Sequence, residues 1–229
     1  MGSKAEFDDY APKYDELLRD PMRDRFVQNG EFYHRRKWEL ILDFLRRHSL
    51  CSGKQAWLDV GCGKGELLSY GSSHFSRVVG CDPSREMVRD TGGIEVHLQD
   101  APAVLPFPNA SFDFATAVCV YHHVEKSDRI PLTREIHRVL RPNGIFCMIE
   151  HNPFNPVTRL IVSQCPVDVD AHLLTAHTAR RYAGSAGLSH KETQYFLYVP
   201  EKYYEKLAGL ERVLRRVPLG GQYATFAKK

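Results

Sequence analysis

Three glycines, Gly61, Gly63 and Gly65, directly follow an apolar run in the sequence LDVGCGKGELL. A loop with so few side chains lets a ligand lie close against the backbone. Asp59 precedes the first glycine by two residues, and its carboxylate would repel a pyrophosphate but attract an ammonium group. This part of the sequence therefore favours a ligand that joins a nucleoside to an amino acid and carries no phosphates.

The spacing of these glycines also differs from that of a dinucleotide site. Such a site has the pattern G-x-G-x-x-G, in which the third glycine lets the following helix pack close to the strand. Here Glu66 occupies that third position, and the glycine falls one residue earlier. S-adenosylmethionine, with its adenine, ribose, sulfonium and α-amino acid, fits this loop. We predict this cofactor, with an NAD-dependent oxidoreductase as the less favoured alternative.

Two further acids follow the next predicted strands. Asp82 ends the second strand, 17 residues after Gly65, where its carboxylate can accept hydrogen bonds from both ribose hydroxyls. Asp100 ends the third strand, where it can accept a hydrogen bond from the adenine amine. Met87 is placed to pack on the adenine face. In an open α/β sheet, ligands bind beyond the carboxyl ends of the strands, and all these residues are predicted there.

Histidines follow the fourth and fifth predicted strands, in VYHHVE and EHNP. Histidine titrates near neutral pH and suits general-base catalysis, so His122, His123 and His151 are the candidate catalytic residues. The alternative is that these imidazoles hydrogen-bond the backbone and hold the loops in place. Tyr121 is predicted to form part of a pocket wall.

Continuous apolar strands that alternate with helices must position these residues. This alternation predicts a parallel sheet covered on both faces, an α/β Rossmann-like doubly wound fold in one domain spanning residues 1–229. The sequence RPNG is predicted to be a turn, and Ser84 to cap a helix. The predicted strands are residues 56–60, 77–82, 94–99, 112–120, 145–150, 193–199 and 221–227, and the longer predicted helices are residues 31–48, 127–140, 175–186 and 201–216.

Four segments in order resemble the successive motifs of class I S-adenosylmethionine-dependent methyltransferases, in the small-molecule branch that includes ubiquinone and menaquinone methyltransferases. The resemblance is strong over residues 55–150 and weak elsewhere. It implies a seven-stranded sheet of order 3-2-1-4-5-7-6 with an antiparallel seventh strand. The segments are LDVGCGKG, VVGCDPSREMV, LQDAPAVLPFPNASFDFATAVCVYHHV and EIHRVLRPNGIFCMIE.

The resemblance also implies roles for individual residues. The loop from Asp59 to Gly65, including Cys62, would hold the methionine portion, and Asp82 with Pro83 would hold the ribose. Asp100 and Ala101 would hold the adenine, and Cys119 would lie beside the cofactor. The sequence YAPKYD is similar to a tyrosine pair that covers the site in relatives, so Tyr10 and Tyr14 are expected near the methionine carboxylate.

Two segments are predicted to cover the site, an N-terminal lid at residues 1–30 and an acceptor-site insertion at residues 151–172. The insertion contains Asp168, Asp170 and His172 in VDVDAH. We predict that these side chains are solvated or cap local structure, and we predict no metal site. The aromatic residues that could line an apolar acceptor pocket are Phe154, Phe196, Tyr198, Tyr203 and Tyr204.

Composition limits the classes of partner. The net charge is +3, which is too weakly basic to predict nucleic-acid binding. The six scattered cysteines and the lack of a long apolar run predict a reduced cytoplasmic protein. Arg212, Arg215 and Arg216 give the 201–216 helix a basic edge that could contact a membrane surface, although a plain surface helix is favoured.

The sequence thus predicts an S-adenosylmethionine-dependent methyltransferase acting on an O, N or C atom of a small-molecule acceptor, such as a natural product, a quinone, or a sugar or glycolipid. The alternative is a non-catalytic binding or partner subunit with the same fold. The acceptor and the oligomeric state stay open.

Overall fold

Seven strands form one mixed sheet in the computed structural model of the chain, which describes residues 7–17, 30–50, 53–89 and 91–229. Two strands begin and end at the predicted residues, and the others lie within a few residues of the prediction. The strands are β1 Ala56–Val60, β2 Arg77–Asp82, β3 Glu95–Leu98, β4 Phe112–Val118, β5 Leu140–His151, β6 Ser189–Phe196 and β7 Gln222–Lys228.

The order of the strands is β3-β2-β1-β4-β5-β7-β6. The first five strands are parallel, and β7 is antiparallel to both β5 and β6. This confirms the predicted α/β doubly wound fold and its strand order. Because β1 to β5 run in the same direction, the residues that follow them meet at one edge of the sheet.

Helices cover both faces of the sheet. Every residue of β1 is buried, as expected for a parallel strand with apolar cover on each side. One face packs against helices Gly30–Arg47 and Glu66–Gly71, where Trp38 stacks on Trp57 with 5.6 Å between ring centroids. The other face packs against helices Arg129–Val139 and Ala176–Ser185. The helices are α1 Phe7–Tyr10, α2 Tyr14–Leu17, α3 Gly30–Arg47, α4 Glu66–Gly71, α5 Arg129–Val139, α6 Pro156–Gln164, α7 Ala176–Ser185 and α8 Glu201–Leu214.

Three local predictions were wrong. The segment after Ser84 forms only a 3₁₀ turn, Met87–Arg89, and Gly92 and Gly93 soon turn the chain at φ of +60° and +87°. Ser84 nevertheless caps this turn as predicted, because its Oγ accepts a hydrogen bond from the Met87 amide at 3.2 Å. The predicted RPNG turn lies inside β5 as a bulge, where the pairing with β4 shifts. Strand β6 begins earlier than predicted, and it ends at Phe196 because Leu197 leaves the strand conformation at φ +60°.

The N-terminal lid predicted for residues 1–30 falls partly outside the described residues. Within them, residues 7–17 form α1, a 3₁₀ turn and α2. Cys51 also lies outside the described residues, and the five cysteines within them are free. No described helix combines the length and apolar character that crossing a membrane requires.

Candidate functional site

A cavity of about 970 Å³ lies at the edge where the parallel strands end. Its wall includes the loop after β1, the ends of β2 and β4, and side chains from α3 and α6. Pockets for small molecules typically measure about 300–1,000 Å³. The cavity is therefore large enough for a nucleoside-sized cofactor together with a second small molecule.

The glycine loop forms part of the cavity wall and depends on two of its glycines for different reasons. Gly61 has φ +69°, and a Cβ atom there would lie 2.5 Å from Cγ2 of Val120. Gly63 has φ +54°, and a Cβ atom there would meet no atom within 4 Å. Gly61 thus lets the loop pack against the end of β4, whereas Gly63 keeps the cavity open. Gly65 precedes α4 at φ +80° and does not line the cavity.

Asp82 fixes the position of this loop. One carboxylate oxygen accepts a hydrogen bond from the Gly63 amide at 2.9 Å, and the other accepts one from the Ser84 amide at 2.9 Å. The side chain is buried and lines the cavity. Burial raises the pKa of Asp82, although the two amide donors oppose this effect. Each oxygen retains a lone pair that can accept a further hydrogen bond from a ligand.

Asp59 is oriented by its neighbours in the sheet. The indole Nε1 of Trp57 donates to Thr116 Oγ1, and the Thr116 hydroxyl donates to the Asp59 carboxylate. Burial raises the pKa of Asp59 to about 7, against the opposing effects of Thr116 and the cationic Lys37. A buried carboxylate at the cavity wall with this pKa is suited to pair with a cationic group of a ligand.

The segment after β3 differs from the prediction in its orientation. The Asp100 side chain is 83% exposed and lies 3.9 Å from the Arg85 guanidinium. Neither Asp100 nor Ala101 lines the cavity, whereas Gln99 and Pro102 do. The assignment of Asp100 and Ala101 to the adenine stays a prediction, and the structure places Gln99 where that side chain was expected.

Several other predicted cofactor residues do line the cavity. They come from α2, from the glycine loop, from the segment after β2 and from the end of β4. These residues are Tyr14, Cys62, Pro83, Met87 and Cys119.

His122 is buried between two carboxylates. Its Nδ1 donates to Glu150, and its Nε2 lies 3.5 Å from Asp168 Oδ1. Burial lowers the pKa of His122, but Glu150 and Asp168 outweigh burial and raise this pKa to about 10. A protonated imidazole cannot accept a proton, so this geometry does not support the general-base role predicted for His122.

The other two predicted histidines are less enclosed. His123 packs edge-on against Phe7 at 4.9 Å, and its Nε2 lies 3.3 Å from Asp168 Oδ1. His151 Nδ1 lies 3.4 Å from Gln222 Nε2. All three histidines line the cavity, as does Asp168. The loop after β4, the end of β5 and the 151–172 segment therefore meet at one wall.

Cys119 lies on the same wall in a left-handed backbone conformation at φ +57°. The Lys37 ammonium group lies 3.8 Å from its sulfur, and Gln222 Nε2 lies 3.4 Å away. Burial raises the pKa of Cys119, but Lys37 and His151 outweigh burial and lower this pKa to about 7. The sequence indicated neither Lys37, which looked like part of a polar helix face, nor Gln222.

This environment predicts selective alkylation of Cys119. Because only the thiolate reacts, we expect the iodoacetamide rate at Cys119 to rise through about pH 7 and then level off. Burial raises the pKa of Cys165 to about 11, so that thiol should stay unreactive. Peptide mass spectrometry after timed alkylation measures both sites. Lys37→Met should slow the reaction of Cys119 at neutral pH, and equal rates at both cysteines would contradict the assignment.

The 151–172 segment supplies apolar and polar wall residues through α6 and the 3₁₀ turn Pro166–Asp168. Of the five aromatic residues predicted for an acceptor pocket, Tyr198 lines the cavity. Phe154 and Tyr203 are exposed, Phe196 is buried in the core, and Tyr204 packs on the Arg36 guanidinium. These four residues do not line the cavity.

Residues 58–148 match a protein family described as a methyltransferase domain. A relative from Bacillus subtilis, the uncharacterized methyltransferase YcgJ, is 31% identical over 58% of this chain and 56% of its own length. The demethylmenaquinone methyltransferase of Geobacillus stearothermophilus is 33% identical over 56% of this chain and 57% of its own length. The chain thus spans about half the length of the curated relatives it matches.

Solved structures have the same fold. A SAM-dependent methyltransferase from Archaeoglobus fulgidus superposes with a TM-score of 0.64 and 18% sequence identity, over 90% of this chain and 97% of the other. At this level of identity, the likeness supports the fold. The glycine loop, β2 to β4 and most of β1 and β5 lie within the matched family segment.

Proposed function

We propose that this chain is an S-adenosylmethionine-dependent methyltransferase, because residues 58–148 match a methyltransferase domain family, and that it transfers the cofactor's methyl group to a small-molecule acceptor held in the same cavity. The observation that carries the proposal is the open face of Gly63 beside two buried carboxylates, Asp59 and Asp82. A phosphate-free cationic nucleoside is the ligand that this combination favours.

The residues fit the cofactor as follows. Asp59 would pair with the ammonium group, and Asp82 would accept hydrogen bonds from the ribose hydroxyls. Met87 and Gln99 would flank the adenine. When bound, the cofactor supplies a methyl group attached to a positively charged sulfur, which is a good leaving group. The protein then has to align the acceptor, exclude water and remove a proton where the acceptor carries one.

His151 is our candidate for the general base. It lines the cavity at the end of β5 and lies beside Cys119 and Gln222. Glu150 and Asp168 surround His122, so that side chain holds the loop instead. His151→Ala should lower kcat and leave cofactor affinity unchanged if this role is correct.

The acceptor is proposed to be a neutral or acidic small molecule, such as a quinol. One relative is named as a demethylmenaquinone methyltransferase, and the cavity wall includes the largely apolar side chains of Val157, Ile161, Val162 and Leu197 with Tyr198.

Turnover separates this function from a non-catalytic subunit. The purified chain is incubated with S-adenosylmethionine and a panel of quinols, phenols and amines, and S-adenosylhomocysteine is quantified. Acceptor-dependent product supports the proposal. Cofactor binding without turnover on any acceptor class would favour the binding-subunit alternative, and binding of NAD in place of S-adenosylmethionine would contradict both.

Cofactor affinity should depend on pH through Asp59. The pKa of Asp59 in the free protein is raised to about 7, and only the ionised carboxylate attracts the ammonium group. We therefore expect affinity to fall up to about tenfold per pH unit below pH 7 and to level off above it. Calorimetric titration over this range measures the dependence. Asp59→Asn should bind more weakly and flatten the profile, and an unchanged profile would contradict the pairing.

Helix α8 provides a surface on which we propose contact with anionic lipid. Leu210 and Val213 are 49% and 78% exposed, and Arg212 and Arg216 are exposed beside them. This combination suits an amphipathic helix at a membrane surface. Sedimentation with anionic vesicles should retain the wild-type chain, and Val213→Glu should reduce binding about tenfold. Equal sedimentation with neutral vesicles would contradict the proposal.

A further inference from the structure

Three side chains from distant parts of the sequence converge on the cavity wall. His122 Nε2 lies 3.5 Å, and His123 Nε2 lies 3.3 Å, from the same oxygen of Asp168. The three ligand atoms all lie within 4.8 Å of one another. Asp168 reaches this position from the 3₁₀ turn after α6, whereas the histidines lie on the loop after β4.

The two separations from Asp168 match those of ligands on one metal ion. Two atoms bound tetrahedrally at about 2.1 Å from a zinc ion lie about 3.4 Å apart. A charge-assisted hydrogen bond between imidazolium and carboxylate is shorter, at about 2.7–2.9 Å. The observed distances of 3.3 and 3.5 Å therefore agree better with the edges of a coordination polyhedron.

The surroundings of His122 add independent support. Glu150 is fully buried and accepts the Nδ1 proton of His122, which leaves Nε2 facing Asp168. Histidines that bind metals almost always donate their second ring N–H to a carboxylate or carbonyl in this way. The Glu150 carboxylate also accepts hydrogen bonds from the Val120 and Tyr121 amides, which fix its orientation.

We propose that His122, His123 and Asp168 bind one divalent transition-metal ion, such as Zn²⁺. Imidazole nitrogens with a single carboxylate favour such an ion over Mg²⁺, which prefers oxygen ligands. On binding, the ion would displace the Nε2 proton that His122 carries in the free protein, and two carboxylates near the imidazoles compensate for its charge. Three protein ligands leave at least one coordination position open, and all three residues line the cavity.

The open coordination position on the metal bears on the choice of acceptor, an inference that rests on the proposed function. A metal ion at this wall would bind an oxygen atom of the acceptor, so acceptors with a hydroxyl or enolisable carbonyl group are favoured over simple amines. The metal site itself does not depend on methyl transfer, and the experiment below measures it without any acceptor.

Zinc retention by the full chain tests the proposal. Chelator-treated protein is incubated with Zn²⁺, desalted and analysed for bound zinc, and Co²⁺ replaces Zn²⁺ in a parallel sample for visible absorption. We expect one retained equivalent and a Co²⁺ spectrum typical of a low-coordinate nitrogen and oxygen site. His123→Ala and Asp168→Asn should weaken binding about 100-fold or more, as loss of a ligand does.

Two matched variants serve as controls. Asp170→Asn and His172→Ala remove a carboxylate and an imidazole from the same segment, at exposed positions outside the cluster. Both should retain zinc as the wild type does. Thermal unfolding adds a second measurement, because Zn²⁺ should raise the Tm of the wild type and of the controls but not that of Asp168→Asn.

Several results would overturn the proposal. Absence of retained zinc in the wild type, or equal retention by all four variants, would leave the cluster as an ion-paired contact between the 165–172 segment and the loop after β4. Titration of S-adenosylmethionine on the same samples keeps the two proposals apart. Zinc binding without cofactor binding would support the metal site and contradict the proposed function. Cofactor binding without zinc binding would support the proposed function and contradict the metal site.

Discussion

Glu150→Ala is expected to lower the free energy of unfolding by about 3–5 kcal/mol, because it leaves a buried cation, one buried amide and one partly buried amide without their partner. Glu150 is fully buried, and its carboxylate accepts hydrogen bonds from the Val120 and Tyr121 amides and from His122. Urea unfolding monitored by circular dichroism measures the change.

Glu205→Ala is the control for this variant. Glu205 is an exposed carboxylate on α8, and its loss should change stability by no more than about 0.5 kcal/mol. The double variant Glu150→Ala/His122→Ala should be less destabilised than the sum of the single variants, since it removes the unpaired charge together with its partner. Equal stability of Glu150→Ala and Glu205→Ala would show that the carboxylate has no structural role.

Asp82→Ala is expected to weaken S-adenosylmethionine binding by about 1–3 kcal/mol, roughly five- to 150-fold, through the loss of charge-assisted hydrogen bonds. The substitution also frees the Gly63 amide, which Asp82 holds at 2.9 Å. Asp82→Asn keeps the side-chain size, so it separates the effect of charge from that of shape. Calorimetric titration with the cofactor measures both variants.

Asp100→Ala is the matched control for the cofactor experiment. Its carboxylate was predicted to hold the adenine, yet the side chain is 83% exposed and lies near Arg85. From the structure, we expect the affinity of Asp100→Ala to stay within about twofold of the wild type, because exposed ion pairs contribute little. A large loss at Asp100 with none at Asp82 would reverse both assignments.

The Asp82 and Glu150 variants test two neighbouring loops of the cavity. Asp82 holds the glycine loop after β1, and Glu150 holds the loop after β4, which carries the histidines. These loops lie next to each other because β1 and β4 are neighbours in the sheet. The side of the cavity with the glycine loop and the side with the histidines are thus each fixed by one buried carboxylate at the end of a strand.

The sequence by itself predicted the strands, most helices and the glycine loop. Buried strands appear as apolar runs and helices as a 3.6-residue period, so these patterns depend only on neighbouring residues. The positive φ angles of Gly61, Gly63 and Gly65 agree with a loop that needs glycine. The strand order came from the resemblance of four motifs to a family, since local pattern does not determine which strands pair.

The orientation of single side chains was less predictable. Gln99 lines the cavity and Asp100 does not, although the two residues are adjacent. In an extended segment, neighbouring side chains point in opposite directions, so an error of one residue exchanges the inside for the outside. The sequence placed the acid correctly at the end of the strand but could not decide which way it faces.

Only the tertiary structure decided which charged groups meet at the cavity wall that carries the histidines and Cys119. Lys37 approaches Cys119, Glu150 pairs with His122, and Asp168 faces both His122 and His123. These partners are separated by tens of residues or more, and their contact depends on the packing of α3 and the position of the 151–172 segment. Helix packing and sheet register set such contacts, and pairwise electrostatics then shifts the pKa values, so no local pattern in the sequence records them.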